Sequence, residues 1–86
     1  GGNLALALDY YGRGLRRNGT DTALANNLAS VLGELGCAGA GIALLEPIHA
    51  GLPETSDWRP VTAATLAELA AIEPGDETAC ASLYPI

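Results

Sequence analysis

Hydrophobic and polar residues follow their most regular pattern in residues 20–35, where the apolar positions recur with the period of an α-helix. Either Thr20 or Asp21 is expected to cap the start of this helix, because both side chains can accept a hydrogen bond from its first turn. Gly36 suits the left-handed position just past the helix end. The predicted buried stripe consists of Leu24, Leu28, Val31, Leu32 and Leu35. The polar side of the helix is predicted to carry Asn26, Ser30 and Glu34.

Three other segments are predicted to be β-strands. Residues 3–11 alternate large apolar residues with small or polar ones, which is the period of a strand. Residues 42–45 form a short apolar run that ends at Glu46 and Pro47, as in a strand covered on both faces. Residues 78–84 are predicted to form the last strand. The small residues at 36–41 follow a helix and precede a strand, which is the reverse of the strand–loop–helix order of a dinucleotide-binding loop. They are therefore expected to let another backbone approach closely.

A second helix is predicted to begin after the irregular stretch of residues 46–60. Pro60 ends that stretch, Thr62 is predicted to be the N-cap, and Val61 and Leu66 occupy the positions of a hydrophobic staple. The predicted buried stripe consists of Ala63, Leu66, Leu69, Ala70 and Ile72. Residues 73–76, with their proline and glycine, are expected to end the helix and turn the chain.

This order of elements predicts a single α+β domain over residues 1–86. Each helix has one apolar face, so a two-layer sandwich is the economical arrangement, with both helices on one face of a small three- to four-stranded sheet. The ferredoxin-like split βαβ topology fits the order best.

The two cysteines, Cys37 and Cys80, are predicted to form a disulfide. A chain of 86 residues without Phe or Met has only a small aliphatic core, and such domains commonly need a covalent link. The ferredoxin-like order would place the strands near these cysteines at opposite sheet edges, too far apart for a bond. Either Cys37 lies in a loop that reaches over, or the strand order differs, or the two thiols are free, so strand order is left open.

The net charge of −6 disfavours nucleic acid and anionic membrane surfaces as partners. The excess lies in residues 44–86, where seven acids face one arginine, whereas the three acids and three arginines of residues 1–43 cancel. The absence of Met and the Gly-Gly start lead us to expect a processed, secreted chain, although removal of Met before Gly or a cloning remnant would give the same start. No apolar segment is long enough to predict a membrane-spanning helix.

Four side chains are candidate contacts with a partner. Trp58 is the only tryptophan and a candidate interface anchor. The other three candidates lie in the predicted loop at residues 12–19 and are Arg13, Arg16 and Arg17. Asn18, in an Asn-Gly-Thr sequence, is a candidate glycosylation site.

No residue pattern predicts catalysis, a metal site or a cofactor. His49 is the only histidine, and acids at positions 46, 54 and 57 are near it in sequence. A lone histidine beside a proline-rich loop is more typical of a surface residue or a structural hydrogen-bond donor than of an acid–base catalyst. The cysteine and histidine spacing does not match a metal motif.

The alanine- and glycine-rich segment LASVLGELGCAGAGIALLE, at residues 28–46, resembles the small secreted fungal killer toxins of the yeast salt-mediated type. The chain is also similar to them in size and predicted element order. The resemblance implies a secreted toxin or effector that binds its target or disturbs a membrane without a catalytic site. It carries over no individual functional residue.

The sequence therefore favours a small secreted, non-enzymatic protein, toxin- or effector-like, that binds a protein or membrane target. A second chain from the same precursor is another candidate partner. The alternative is an extracellular self-assembling subunit, a homo-oligomer that pairs through its apolar N-terminal strand. A small enzyme that uses His49 or the arginine loop is the remaining class.

Overall fold

The computed structural model describes residues 4–17, 21–73 and 80, and in this part of the chain it contains four helices and no strand. The helices are α1 (Leu4–Arg17), α2 (Thr22–Glu34), α3 (Ala38–Gly51) and α4 (Trp58–Ala71). The predicted α+β sandwich, with its ferredoxin-like sheet, is therefore wrong, and the fold is all-α. The element order on which the resemblance to killer toxins partly depended is corrected with it.

Helix α2 is the centre of the molecule and packs against α1, α3 and α4. The prediction of this helix is confirmed, including both of its ends. Asp21 caps its start, because its Oδ1 accepts a hydrogen bond of 3.0 Å from the backbone N–H of Leu24. Gly36, with φ at +85°, takes the left-handed position after its end. The buried residues of α2 are Ala25, Asn26, Leu28, Ala29, Val31, Leu32 and Gly33.

The polar side predicted for α2 is only partly correct. Glu34 is exposed, but Asn26 keeps only 9% of its surface accessible, and its Oδ1 has no hydrogen-bond partner among the described residues. Because α2 has neighbours on several sides, it must bury more of its circumference than one stripe. For this reason Asn26 is buried although it lies opposite the leucines.

Residues 4–11, predicted as the first strand, belong to α1 together with residues 12–17 of the predicted loop. Asp9 and Arg13 form an ion pair of 3.1 Å across one helical turn, a pairing that a strand could not make. Tyr11 packs against the core, whereas its neighbour Tyr10 is exposed. Assembly through an N-terminal strand therefore has no structural basis.

Residues 42–45, predicted as a strand, lie inside α3. The inward positions of α3 recur at helical spacing and comprise Ala38, Gly41, Leu45 and the half-buried Ile48. Pro47 does not end the helix, although it cannot donate a hydrogen bond to the carbonyl of Ala43. Residue 43 is exposed, so water can reach its carbonyl group.

Helix α4 begins at Trp58, and its N-cap residue is Asp57, five positions before the predicted cap at Thr62. Thr62 is thus not the cap but a fully buried residue within the helix. The buried face consists of Thr62, Thr65 and Leu69, whereas three members of the predicted stripe, Ala63, Ala70 and Ile72, are exposed. Pro60 is tolerated because backbone N–H groups of the first turn have no partner within the helix.

The predicted disulfide between Cys37 and Cys80 is confirmed. The two Cα atoms are 5.9 Å apart, and both residues are buried. Cys37 is the residue just before α3, so the bond fastens the segment after α4 to the junction between α2 and α3. The rest of the strand predicted at residues 78–84 lies outside the described residues. The described residues form no sheet, so the predicted conflict between the disulfide and the strand order does not arise.

The close approach predicted for the glycine-rich segment is confirmed at Gly41. A Cβ atom there would lie 2.9 Å from the backbone oxygen of Ala29, at the contact of α3 with α2. We therefore expect Gly41→Ala to lower the free energy of unfolding by about 1–3 kcal/mol, as overpacking of a tight contact does.

Gly51 provides the matched control within the same helix, because no atom of the described part of the chain lies within 4 Å of the position that its Cβ would take. Gly51→Ala should be neutral or stabilising by up to about 1 kcal/mol, the gain in helix propensity. Urea unfolding of both variants is the measurement. Equal effects of the two substitutions would show that α2 and α3 are not this close.

Candidate functional site

An open hollow of about 300 Å³ lies between α1 and α2. Its lining consists of Tyr10, Arg13, Gly14, Arg17 and Leu24. We call it the basic hollow. It brings together two of the three arginines that the sequence indicated and adds an aromatic ring and an aliphatic floor.

The helical period of α1 builds this hollow. Its four lining residues on α1 are separated by three, one and three positions, so they share one face of the helix. Gly14 makes room for α2, because a Cβ there would lie 2.6 Å from Cδ1 of Leu24. Leu24 is held in the first turn of α2 by the cap at Asp21. A small residue on α1 and a capped turn on α2 thus set the shape.

The hollow has a positive local charge in an acidic protein. Helix α1 carries three arginines and Asp9, which gives it a formal charge of +2. The remaining residues carry a formal charge of −8, and the two add up to the net charge of −6. Nε of Arg13 donates to Oδ1 of Asp9 at 3.1 Å, and both side chains are exposed. Arg17 is also exposed, and within the described part of the chain it has no ion-pair partner. Its guanidinium group is therefore available to an external carboxylate.

The residue types of the basic hollow are those that anchor protein interfaces. Tyrosine and arginine are enriched among the residues that contribute most to binding energy. Tyr10 is 68% exposed, the largest exposure among the large hydrophobic side chains described. A guanidinium group can bind a carboxylate through two parallel hydrogen bonds. The arrangement is suited to holding an acidic group next to an aromatic or aliphatic one.

Trp58, the other predicted anchor, is 39% exposed at the start of α4 and is not part of the basic hollow. The structure therefore separates the tryptophan from the arginines. The side chain of Arg16 and the candidate glycosylation site Asn18 lie outside the described residues. Their predicted roles stay predictions.

His49 has a structural contact. Its Nδ1 lies 2.6 Å from Oγ1 of Thr62, and that hydroxyl group is within 3.0 Å of the carbonyl oxygen of Trp58. If the threonine donates to this carbonyl, it accepts from an Nδ1–H of the histidine. Arg59 adds a second link, because its Nη1 donates to the carbonyl oxygen of Leu52 at 2.8 Å. These contacts join the end of α3 to the start of α4.

A groove of about 320 Å³ lies beside the end of α3, and the described residues that line it, Thr22, Pro47, Ile48, Gly51 and Leu52, are all uncharged. Within residues 4–17, 21–73 and 80, no group of three or more Asp, Glu, His or Cys residues is placed to hold a metal ion. None of the described helices is long and apolar enough to cross a membrane.

Comparisons with protein-family models, with curated proteins and with solved structures found no match for this chain. The basic hollow itself must therefore carry any functional argument. Sequence reasoning identified its arginines but assigned Tyr10 to a strand face and Leu24 only to the core. The spacing of positions 10, 13, 14 and 17 is the signal that could have joined them.

Proposed function

We propose that this protein is a small secreted binding protein, toxin- or effector-like, that acts without catalysis. Its basic hollow docks on an acidic segment of a protein target. The observation that carries the proposal is the convergence of Tyr10, Arg13 and Arg17 on one open hollow with Leu24 at its floor.

The disulfide supports an extracellular location. Disulfides form and persist in oxidising compartments and are rare in reducing ones. The bond between Cys37 and Cys80 joins buried residues, so it acts as part of the fold and not as an exposed reactive pair.

The charge distribution favours an acidic protein segment over a lipid surface. Three of the four arginines lie in α1, and the net charge of −6 would repel an extended anionic membrane. A short acidic segment can contact the hollow without approaching the acidic remainder of the molecule. Exposed Tyr10 offers a neighbouring apolar surface for such a segment.

The test is a titration of ¹⁵N-labelled protein with a synthetic peptide rich in Asp and Glu that contains one aromatic residue. We expect amide shifts confined to residues 10–17 and 21–24. We expect Arg17→Gln to weaken binding roughly fivefold, because one charge-assisted hydrogen bond contributes about 1 kcal/mol or more. The measurement is the dissociation constant from the shift titration.

Arg59→Gln is the matched control, because it removes the same charge at a site away from the hollow, and it should leave peptide affinity unchanged. A second control peptide, with every acid replaced by its amide, should bind much more weakly. Equal binding of both peptides, or equal effects of the two arginine substitutions, would contradict the proposal. Binding to anionic vesicles without binding to the acidic peptide would also reject a protein target.

A further inference from the structure

A second groove, of about 230 Å³, lies between α2 and α4 and has the opposite charge. Its lining consists of Ser30, Gly33, Glu34, Thr65, Glu68, Leu69 and Ile72. We call it the acidic groove. Glu34 and Glu68 are both exposed at it, and no arginine whose side chain the structure describes contributes to its lining.

The acidic groove also has an accessible apolar part. Gly33 brings α4 close to α2, because a Cβ there would lie 2.5 Å from Cδ2 of Leu69. Ile72, at the end of α4, is 39% exposed beside it. Carboxylates next to an exposed aliphatic side chain are the counterpart of the arginines and tyrosine in the basic hollow.

The two surfaces lie on opposite sides of α2. Leu24 in the basic hollow and Gly33 in the acidic groove are nine residues apart on this helix. Nine residues make about two and a half turns and about 13 Å of rise, so the two positions face opposite directions near opposite ends. The packing agrees, since one position faces α1 and the other faces α4.

We propose that the acidic partner of the basic hollow is the acidic groove of a second copy of this chain. This inference rests on the proposed function and names the partner of the same site. Arg13 and Arg17 are one helical turn apart, about 6 Å along the axis, and present two positive charges to the two carboxylates. Tyr10 and Leu24 face the exposed Ile72 in this contact.

Because the two surfaces are back to back, the contact is head-to-tail. A twofold dimer brings the same patch of both copies into one interface, and surfaces on opposite sides of α2 cannot both enter it. Each copy therefore keeps one hollow and one groove for further neighbours. The products are chains, or rings if the rotation between neighbours closes.

A charge-swap experiment on the full chain tests this contact by sedimentation velocity and light scattering. At low salt we expect the average mass to rise several-fold above the monomer with concentration, and to fall back at high salt because exposed charges are screened. Arg13→Glu/Arg17→Glu and Glu34→Arg/Glu68→Arg should each stay monomeric. An equimolar mixture of the two variants should regain assembly. The reversed hollow of one variant then meets the reversed groove of the other, and the unchanged groove and hollow also pair with opposite charges.

Neutral variants protect the test against misfolding. Arg13→Gln/Arg17→Gln and Glu34→Gln/Glu68→Gln avoid new repulsion within the helices and should also abolish assembly, with urea unfolding as the check on the fold. Assembly that persists in the neutral variants would overturn the inference. So would two reversed variants whose mixture stays monomeric.

The acidic peptide separates failure of this inference from failure of the proposed function. If the peptide binds the basic hollow at dilute concentration while the wild type stays monomeric at every salt and protein concentration, only the self-association is overturned. If neither occurs, both proposals are overturned. If both occur, the peptide should compete with the second copy and return the assembled protein to monomers.

Discussion

Reduction of the disulfide between Cys37 and Cys80 is expected to lower the free energy of unfolding by about 4 kcal/mol. The two cysteines are 43 positions apart, so the bond closes a long loop and restricts the unfolded chain strongly. A domain of this size has a total stability of only about 5–15 kcal/mol, and the loss is a large part of it. The measurement is urea unfolding with and without a reductant.

The variant Cys37→Ala/Cys80→Ala is the control for this experiment. It should unfold at about the midpoint of the reduced wild type, and the reductant should not change it further. A loss below about 1 kcal/mol would mean that the bond contributes little beyond the packing already present around these two buried residues.

Replacement of Leu28 or Leu32 by alanine is expected to cost about 2–5 kcal/mol each. Both side chains are fully buried in α2, where they contact the core from the central helix of the fold. Truncation of such a residue loses its transfer free energy and leaves a cavity that rigid neighbours cannot fill. The free energy of unfolding from denaturant titration is the quantity to compare.

Asn27→Ala is the control on the same helix, because residue 27 is exposed. It should change the free energy of unfolding by less than about 0.5 kcal/mol. If Asn27→Ala costs as much as Leu32→Ala, the assignment of the buried side of α2 is wrong.

Helix α2 was predictable because every local signal agreed with its environment. Asp21, the leucine stripe and Gly36 mark its start, its buried face and its end, and the structure uses all three. Only the burial of Asn26 was missed. A single sequence indicates one apolar stripe, but it does not tell how many neighbours a helix will have.

Helix α1 was mistaken for a strand because its sequence carries two periods at once. Alternation runs through positions 4, 6, 8 and 10, whereas positions 4, 8, 11 and 15 have helical spacing. The pair of Asp9 and Arg13, four residues apart, also supports a helix. Alanine and leucine have high helix propensity, and this preference decides between the two periods.

Helices α3 and α4 show where residue type was misleading. Glycines and Pro47 suggested a strand with loops, yet Gly41 is needed for the approach to α2 and the proline is tolerated on the exposed side. Threonine suggested a cap at position 62. Inside α4, Thr62 and Thr65 satisfy their hydroxyl groups on carbonyl oxygens four residues earlier, so both can be buried.

The candidate site was predictable in its charges but not in its shape. The arginines stood out because the rest of the chain is acidic. Their placement in an assumed loop hid the common helix face with Tyr10, and the contribution of Leu24 depends on tertiary packing through Gly14. Trp58 was singled out because it is the only tryptophan, and this property does not indicate to which surface its side chain belongs.

The covalent ring closed by the disulfide has a consequence for how α1 can move. The ring runs from residue 37 to residue 80 and contains α3 and α4, whereas α1 lies outside it and packs chiefly against α2. The disulfide therefore does not restrict local opening of α1, and this opening needs less free energy than global unfolding. Any ligand that contacts both walls of the basic hollow binds only the closed form, and it stabilises α1 by mass action. Ligand binding in the basic hollow and the folding of α1, which forms one side of the hollow, are thus thermodynamically linked.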